Sequence, residues 1–235
     1  MRSFCLTGLF LFSILFSLAL PAGTVSASNE TTSGTITGTE TWAGVHTLTG
    51  DVTIAPGAKL IINPGATIEF PNGTHLDVRG SLCAGLASCG ASSNAGPAMR
   101  INLRWSEPVN ASATGECYGM SYGNQEIWID DPSCSEGILM RSSIDLAETG
   151  LRYVTFDSAW GIPQYISAVG EFRYGALVLD GASPTLTELS FNQINTSSVL
   201  TTNLAQPSFN GGDFAVGIDA NTGIVGAALQ IYSSG

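Results

Sequence analysis

Four consecutive eight-residue blocks, which cover residues 51–82, repeat one apolar spacing. In each block two apolar residues stand two positions apart, so both side chains leave the same face of an extended strand, and a glycine follows in three of the four turns. A unit this short cannot bury its apolar face alone and must stack on the next coil. The repeat therefore predicts an all-β solenoid in which three blocks, about 24 residues, make one coil. The paired positions are Val52 and Ile54, Leu60 and Ile62, Ile68 and Phe70, and Leu76 and Val78, and the glycines are Gly57, Gly65 and Gly73.

The repeat pattern returns after two irregular insertions. Residues 83–97 form a small-residue loop, and residues 107–139 are long, polar and glycine-rich. Beyond them, L-x-x-V-x-F at 151–156 and L-x-x-L-x-F at 186–191 share one spacing 35 residues apart, and residues 175–179 resemble residues 227–231. Such insertions project as loops from one side of a solenoid, where these folds usually carry function.

The N-terminus has the three parts of a secretory signal peptide. Arg2 precedes an apolar run over residues 4–20, and Pro21 leads to the small-residue site Val25-Ser26-Ala27. The run is short for a membrane span and has no basic cluster on its far side. We expect cleavage after Ala27, with Ala22 as the second choice, and a secreted or cell-surface protein that has no membrane span after signal removal.

These patterns divide the chain into a signal peptide (1–27), a flexible lead (28–41) and a parallel β-helix (42–235). The lead is rich in threonine and has no apolar period. Trp42, Val45 and Leu48 then supply the apolar side chains of a cap over the first coil. Leu229 and Ile231 restart a strand without a recognisable cap or anchor after it, so we expect a helix that is incomplete at its C-terminus and belongs to a longer surface protein.

The acidic composition limits the classes of partner that the protein can bind. The chain has 8 Lys and Arg against 19 Asp and Glu, a formal net charge of -11 at pH 7. Such a surface repels nucleic acid and anionic lipid, so we expect no nucleic-acid partner.

Four cysteines, an even number, remain after signal removal. Three pairings exist, and we favour the nearest-neighbour one, because Cys83 with Cys89 and Cys117 with Cys134 close two local loops. Neither pair has the C-x-x-C spacing of a zinc site. Asn29, Asn72, Asn110 and Asn195 begin N-x-S/T sequons and are candidate glycosylation sites if the source glycosylates its secreted proteins.

Residues 52–70, VTIAPGAKLIINPGATIEF, resemble the opening coil of secreted right-handed parallel β-helix proteins, the pectin-lyase-like superfamily. Residues 180–186, DGASPTL, resemble it as well. The resemblance covers residues 42–235 with gaps and implies a right-handed parallel β-helix whose irregular loop insertions here carry the cysteine pairs. It specifies fold better than activity, because the family includes polysaccharide lyases, glycoside hydrolases, adhesins and many other surface proteins.

The chemistry usual for this fold has no strong motif here. Lyases need an arginine or lysine beside a carboxylate, and hydrolases need paired carboxylates. Asp130-Asp131 is the only adjacent acidic pair, and neighbours on a strand point to opposite faces. Arg152 and Arg173 are candidate substrate cations at repeat positions. Oxygen ligands for calcium are available, but without EF-hand or nonapeptide spacing, from Asp130, Asp131, Asp145 and Asp157.

We therefore expect a non-enzymatic, adhesin-like protein that binds an extracellular polysaccharide or a cell-envelope component. We name no catalytic residue, cofactor or metal ligand. The alternative is an extracellular polysaccharide lyase or glycoside hydrolase on the same fold.

The secreted protein is expected to begin at Ser28, because the small residues before it fit signal peptidase. N-terminal sequencing of protein recovered from the medium measures this directly. An intact species that begins at Met1 and stays in the membrane would contradict the prediction.

Overall fold

The computed structural model describes residues 30–106, 120–122, 125–127, 136–167, 169–194, 196–214 and 228–232. Regular structure in these residues is almost entirely β-strand, with short 3-10 turns at Ala87–Cys89, Pro97–Met99 and Leu146–Glu148. The strands are β1 (Gly34–Ile36), β2 (Thr39–Trp42), β3 (Val45–Thr47), β4 (Val52–Ile54), β5 (Lys59–Ile62), β6 (Thr67–Phe70), β7 (His75–Val78), β8 (Ser81–Ala84), β9 (Ile101–Trp105), β10 (Met120–Tyr122), β11 (Gln125–Ile127), β12 (Gly137–Arg141), β13 (Gly150–Arg152), β14 (Val154–Asp157), β15 (Ile162–Ile166), β16 (Glu171–Asp180), β17 (Thr185–Asn192), β18 (Ser197–Thr202), β19 (Ser208–Asp213) and β20 (Leu229–Ile231).

Two parallel sheets enclose one core. Sheet A has the order β1-β4-β7-β12-β16-β18-β20, with β15 antiparallel to β16. The other sheet has the order β2-β5-β8-β13-β17-β14-β9-β6-β3, with β19 beside β17. Since β17 pairs with β13 through its first residues and with β14 through its last, this sheet divides into face B (β2, β5, β8, β13) and face C (β3, β6, β9, β14). The chain passes through sheet A, face B and face C in turn, so the predicted parallel β-helix is confirmed.

The strand register confirms the predicted repeat. Val52 lies beside Leu76, 24 residues later in the chain. Leu151 lies beside Leu186 and Phe156 beside Phe191, which places the two matching motifs on successive coils. Residues 175–179 and 229–231 lie in sheet A two coils apart, because β18 runs between β16 and β20. Gly137–Arg141, which the sequence assigned partly to the second insertion, forms β12 and continues sheet A.

The predicted inward residues form the core. Each is at most 1% exposed: Val52, Ile54, Leu60, Ile62, Ile68, Phe70, Leu76 and Val78. At the end of face C the inward rings stack along the helix axis, with centroid separations of 4.3, 6.2, 4.7 and 5.5 Å between successive rings. We call this stack the aromatic column; its members are Phe70, Trp105, Phe156, Phe191 and Phe214.

The first coil begins earlier than predicted. Part of the segment 28–41, which was expected to be a flexible lead, forms β1 and β2 in parallel register with β4 and β5. In β1 only Ile36 faces inward, while Thr35 faces out. One inward residue per strand produces no apolar period, which is why the sequence did not reveal this coil.

The cap over this coil is more polar than predicted. Trp42 and Leu48 are buried as expected, but Val45 is 70% exposed. His46 instead occupies the inward position, in register with Ile68, and its ring stacks on Trp42 with 4.3 Å between the centroids. His46 Nδ1 lies 2.6 Å from Glu30 Oε2. The polar pair of His46 and Glu30 therefore covers the core at the N-terminal end of the helix.

Many corners between strands have left-handed backbone. Gly57, Gly65 and Gly73 have φ of 79°, 79° and 73°, and in later coils Tyr153 and Glu188 take φ of 50° and 53° at corners between faces B and C. Only glycine adopts this region without a steric cost. The turn glycines of the repeat are therefore conformational requirements of the coil.

Gly65→Ala is expected to lower the free energy of unfolding by about 1 kcal/mol, because it forces a Cβ into a left-handed corner. A Cβ on Gly65 would meet no atom within 4 Å, so the change isolates backbone strain from packing. Gly38→Ala is the matched control, since that site is equally open but its φ is not in the left-handed region. Urea unfolding of both variants measures the difference, and equal stability would contradict the corner requirement.

Candidate functional site

The outer face of sheet A changes from polar to apolar along the helix. Asp77, Leu139, Val178 and Leu200 follow one another in register at outward positions. The last three are buried, and Ile162 of β15, the antiparallel partner of β16, packs against them together with Tyr232. The chain thus uses an insertion to cover an apolar strip that lies outside the solenoid core.

A series of ion pairs, here called the ion-pair chain, lies on the same outer face of sheet A. It starts at Asp77 and continues into the next row of outward residues, which contains Arg141 and Asp180. Asp77 Oδ2 accepts from Arg79 Nη2 at 2.7 Å, and Asp77 Oδ1 accepts from Arg141 Nε at 3.2 Å. Arg141 Nη1 also donates to Asp180 Oδ2 at 3.3 Å, and Thr202 Oγ1 donates to Asp180 Oδ1 at 3.2 Å. The chain crosses four coils and joins two cations to two carboxylates.

The electrostatics of the ion-pair chain limit the acid–base chemistry that its arginines can perform. Asp77 raises the pKa of Arg79, first through the side-chain hydrogen bond and then through its negative charge. The guanidinium therefore stays protonated and cannot take a proton from a substrate near neutral pH. Asp77 points outward from the core, but both arginines cover it and leave it 4% exposed.

A hairpin formed by β15 and the first half of β16 carries aromatic side chains. Pro163 lies opposite Tyr174, and Tyr165 lies two residues along the same strand. Opposite residues of an antiparallel pair share a face, and so do alternate residues of one strand. Pro163, Tyr165 and Tyr174 therefore share one hairpin face, on which Tyr165 is 59% exposed. We call this surface the tyrosine face.

Glu136 lies at the base of this hairpin and is 1% exposed. Its Oε1 accepts from the Gly73 N–H at 2.8 Å, and its Oε2 accepts from the Trp160 N–H at 3.0 Å. Burial raises the pKa of this carboxyl to about 7, although the two backbone donors oppose the shift. Sequence reasoning missed Glu136, because a lone glutamate between two loop-like segments has no motif around it.

The disulfide predicted between Cys83 and Cys89 is confirmed, with Cα atoms 5.8 Å apart. The loop that it closes covers Ile61 on the outside of face B, together with Leu86 and Ala91. Cys117 and Cys134 lie outside the described residues, as do Asn29, Asn110 and Asn195. Asn72 is described, and its side chain is exposed at the corner before Gly73.

The predicted substrate cations bind the protein itself. Arg152 Nε donates to the carbonyl of Ala95 at 3.0 Å, and its guanidinium lies 5.2 Å from the Tyr153 ring centroid. Arg173 Nε donates to Tyr232 Oη at 3.0 Å. These contacts fix loops and strands, so neither arginine is directed at a common site.

The aspartates that could offer oxygen atoms to calcium are not brought together where the structure describes them. Asp145 caps a 3-10 turn by accepting from the Ala147 N–H, and Asp157 lies 3.5 Å from Arg104 in an ion pair. Asp130 and Asp131 lie outside the described residues. Within the part of the chain that the structure describes, no group of three or more His, Cys, Asp and Glu side chains is placed to hold a metal ion.

No helix among the described residues is long and apolar enough to span a membrane. No family model, curated protein or solved structure matches the chain. Function is therefore inferred from the surfaces described above.

Proposed function

We propose that this protein is a secreted or cell-surface β-helix that binds an extracellular polysaccharide and does not cleave it. The observation that carries the proposal is the tyrosine face, where Tyr165 is 59% exposed on a hairpin that projects from a rigid solenoid. Pro163 and Tyr174 are half-buried beside it, and a contiguous exposed apolar patch of this kind marks an interaction surface more often than a single exposed residue does.

The chemistry of this face suits sugars. The apolar faces of sugar rings pack on aromatic rings, while the phenol hydroxyl and nearby polar groups hydrogen-bond the sugar hydroxyls. Gln164 and Arg173 alternate with the residues of this face and point to the other side of the hairpin, so the phenol groups of Tyr165 and Tyr174 supply its polar contacts. Because the hairpin is a paired β-structure, little conformational entropy is lost when it binds.

Charge favours a neutral glycan over an acidic one. The chain has a formal net charge of -11, so an anionic polymer meets long-range repulsion. Arg141 on the same sheet does not reverse this field, since it is shared between Asp77 and Asp180. An uncharged glycan approaches without this penalty.

Two features support an extracellular location. The N-terminal sequence has the parts of a signal peptide, and the Cys83–Cys89 disulfide is typical of oxidising compartments. The pectin-lyase-like resemblance of residues 52–70 and 180–186 is consistent with such a location.

The lyase alternative depends on the ion-pair chain, because there the described residues place two arginines beside a buried aspartate. Proton abstraction needs an unprotonated base, whereas Asp77 holds Arg79 in the protonated form. In the ion-pair chain two arginines are paired with two aspartates, and this arrangement is better suited to stabilising the contact between neighbouring coils than to catalysis. We therefore rank binding above cleavage.

A polysaccharide panel tests the proposal. The full secreted chain is applied to neutral and acidic polysaccharides, and both retention and the release of reducing or unsaturated ends are measured. We expect retention on a neutral glycan without release, and we expect Tyr165→Ala to weaken it by about tenfold or more, as for an aromatic residue central to a binding surface.

Leu204→Ala is the matched control, because Leu204 is 62% exposed at a turn outside the hairpin and should not affect retention. Release of unsaturated ends that is lost in Arg141→Ala would establish the lyase alternative instead. Failure of the wild-type chain to bind any neutral glycan would overturn the proposal.

A further inference from the structure

Glu136 joins three segments that are distant in sequence. Its carboxylate accepts from the Gly73 N–H at the corner before β7 and from the Trp160 N–H in the segment that leads into β15. Its backbone forms two further bonds, donating to Gly161 O at 3.2 Å and accepting from Gly161 N at 2.9 Å. All four bonds meet where the hairpin leaves the solenoid.

The base of the β15–β16 hairpin is closely packed as well as buried. A Cβ at Gly161 would lie 2.3 Å from Thr196 Oγ1, and one at Gly137 would lie 2.3 Å from the carbonyl oxygen of Ala176. The Gly73 corner is itself tied to the core, since Trp105 of the aromatic column donates to the Thr74 carbonyl at 2.8 Å. The Glu136 side chain therefore connects the hairpin, through the Gly73 corner, to the aromatic column.

We propose that Glu136 is the positioning residue of the β15–β16 hairpin, and that its protonation holds the base of the hairpin closed against the solenoid. The consequence for ligand binding rests on the proposed function, because the tyrosine face lies on this hairpin. The closure itself does not depend on any ligand.

The direction of the pH effect follows from burial. The pKa of Glu136 is raised in the closed structure to about 7 from an ordinary value of 4.5. The closed form therefore binds a proton more tightly than a form in which water reaches the carboxyl. Closure is most favoured below pH 4.5, and this contribution is lost as the pH rises through about 7.

Other titratable groups near this junction must be separated from Glu136. His75 lies opposite Gly137 in the register of sheet A, and its Nδ1 is 3.1 Å from Asp51 Oδ1. Asp157, which precedes the segment that carries Trp160, is paired with Arg104, and Arg173 of the hairpin is bonded to Tyr232. Of these, only His75 stands directly beside the strand that begins after Glu136, so the variant H75Q is the required control.

Amide hydrogen exchange of the full chain between pH 5 and pH 8 tests the closure. Exchange rates at the Gly73 and Trp160 amides are converted to protection factors, because this conversion removes the intrinsic pH dependence of exchange. The Tyr153 amide, which donates to the Thr187 carbonyl in a different corner, is the internal reference. We expect protection at Trp160, relative to Tyr153, to rise by roughly tens of fold from pH 8 to pH 5, the size set by such a pKa difference.

Glu136→Gln cannot ionise, so its relative protection should not vary with pH, while H75Q should keep the wild-type profile. A flat wild-type profile, or one that rises with pH, overturns the proposal even if the Gln variant fails to fold. A profile that is abolished by H75Q assigns the titration to the imidazole and also overturns it.

Retention on the neutral glycan provides the functional readout. We expect wild-type binding to be several-fold weaker at pH 8 than at pH 5, and pH-independent in Glu136→Gln. Absence of binding at every pH refutes the proposed function alone, because the exchange profile still decides whether Glu136 closes the hairpin. Wild-type binding that is unaffected by pH overturns the role of Glu136 in the site.

Discussion

The aromatic column is the interaction on which the other features of this β-helix depend. Each short strand has only one to three inward side chains, so no coil is stable until its rings and aliphatic groups pack on those of the next coil. Phe156 and Phe191 pack on one another 35 residues apart in sequence, at 4.7 Å between centroids and in direct register. This packing sets which residues face outward and therefore where any binding surface can form.

The same constraint explains the insertions and the strained corners. At the short corners between faces B and C the backbone turns within a few residues, so a left-handed glycine, Tyr153 or Glu188 occupies the turn. Longer connections leave the solenoid and cover apolar strips on its outside, as the disulfide loop covers Ile61 and the β15–β16 hairpin covers Val178. The hairpin thus has a structural inner side, and its other side is the tyrosine face proposed for binding.

The sequence predicts this fold well where the repeat is unbroken and poorly at the surfaces for which a function is proposed. Residues 51–82 reveal their coil because every strand there has two inward apolar residues. The ion-pair chain could not be found in this way, since Asp77 and Arg141 are 64 residues apart and an insertion of irregular length separates them. Glu136 likewise acquires its role only when the coils bring Gly73 and Trp160 to it.

A double-mutant cycle between Phe156 and Phe191 tests the central claim most directly. The free energy of unfolding is measured for Phe156→Leu, Phe191→Leu and the double variant, with Asp157→Ala and Asn192→Ala, the outward neighbours in the same register, as the control cycle. The column predicts a coupling of about 1 kcal/mol for the phenylalanine pair and a value near zero for the outward pair. Additive effects for the phenylalanines, or equal coupling in both cycles, would contradict the dependence of the fold on the column.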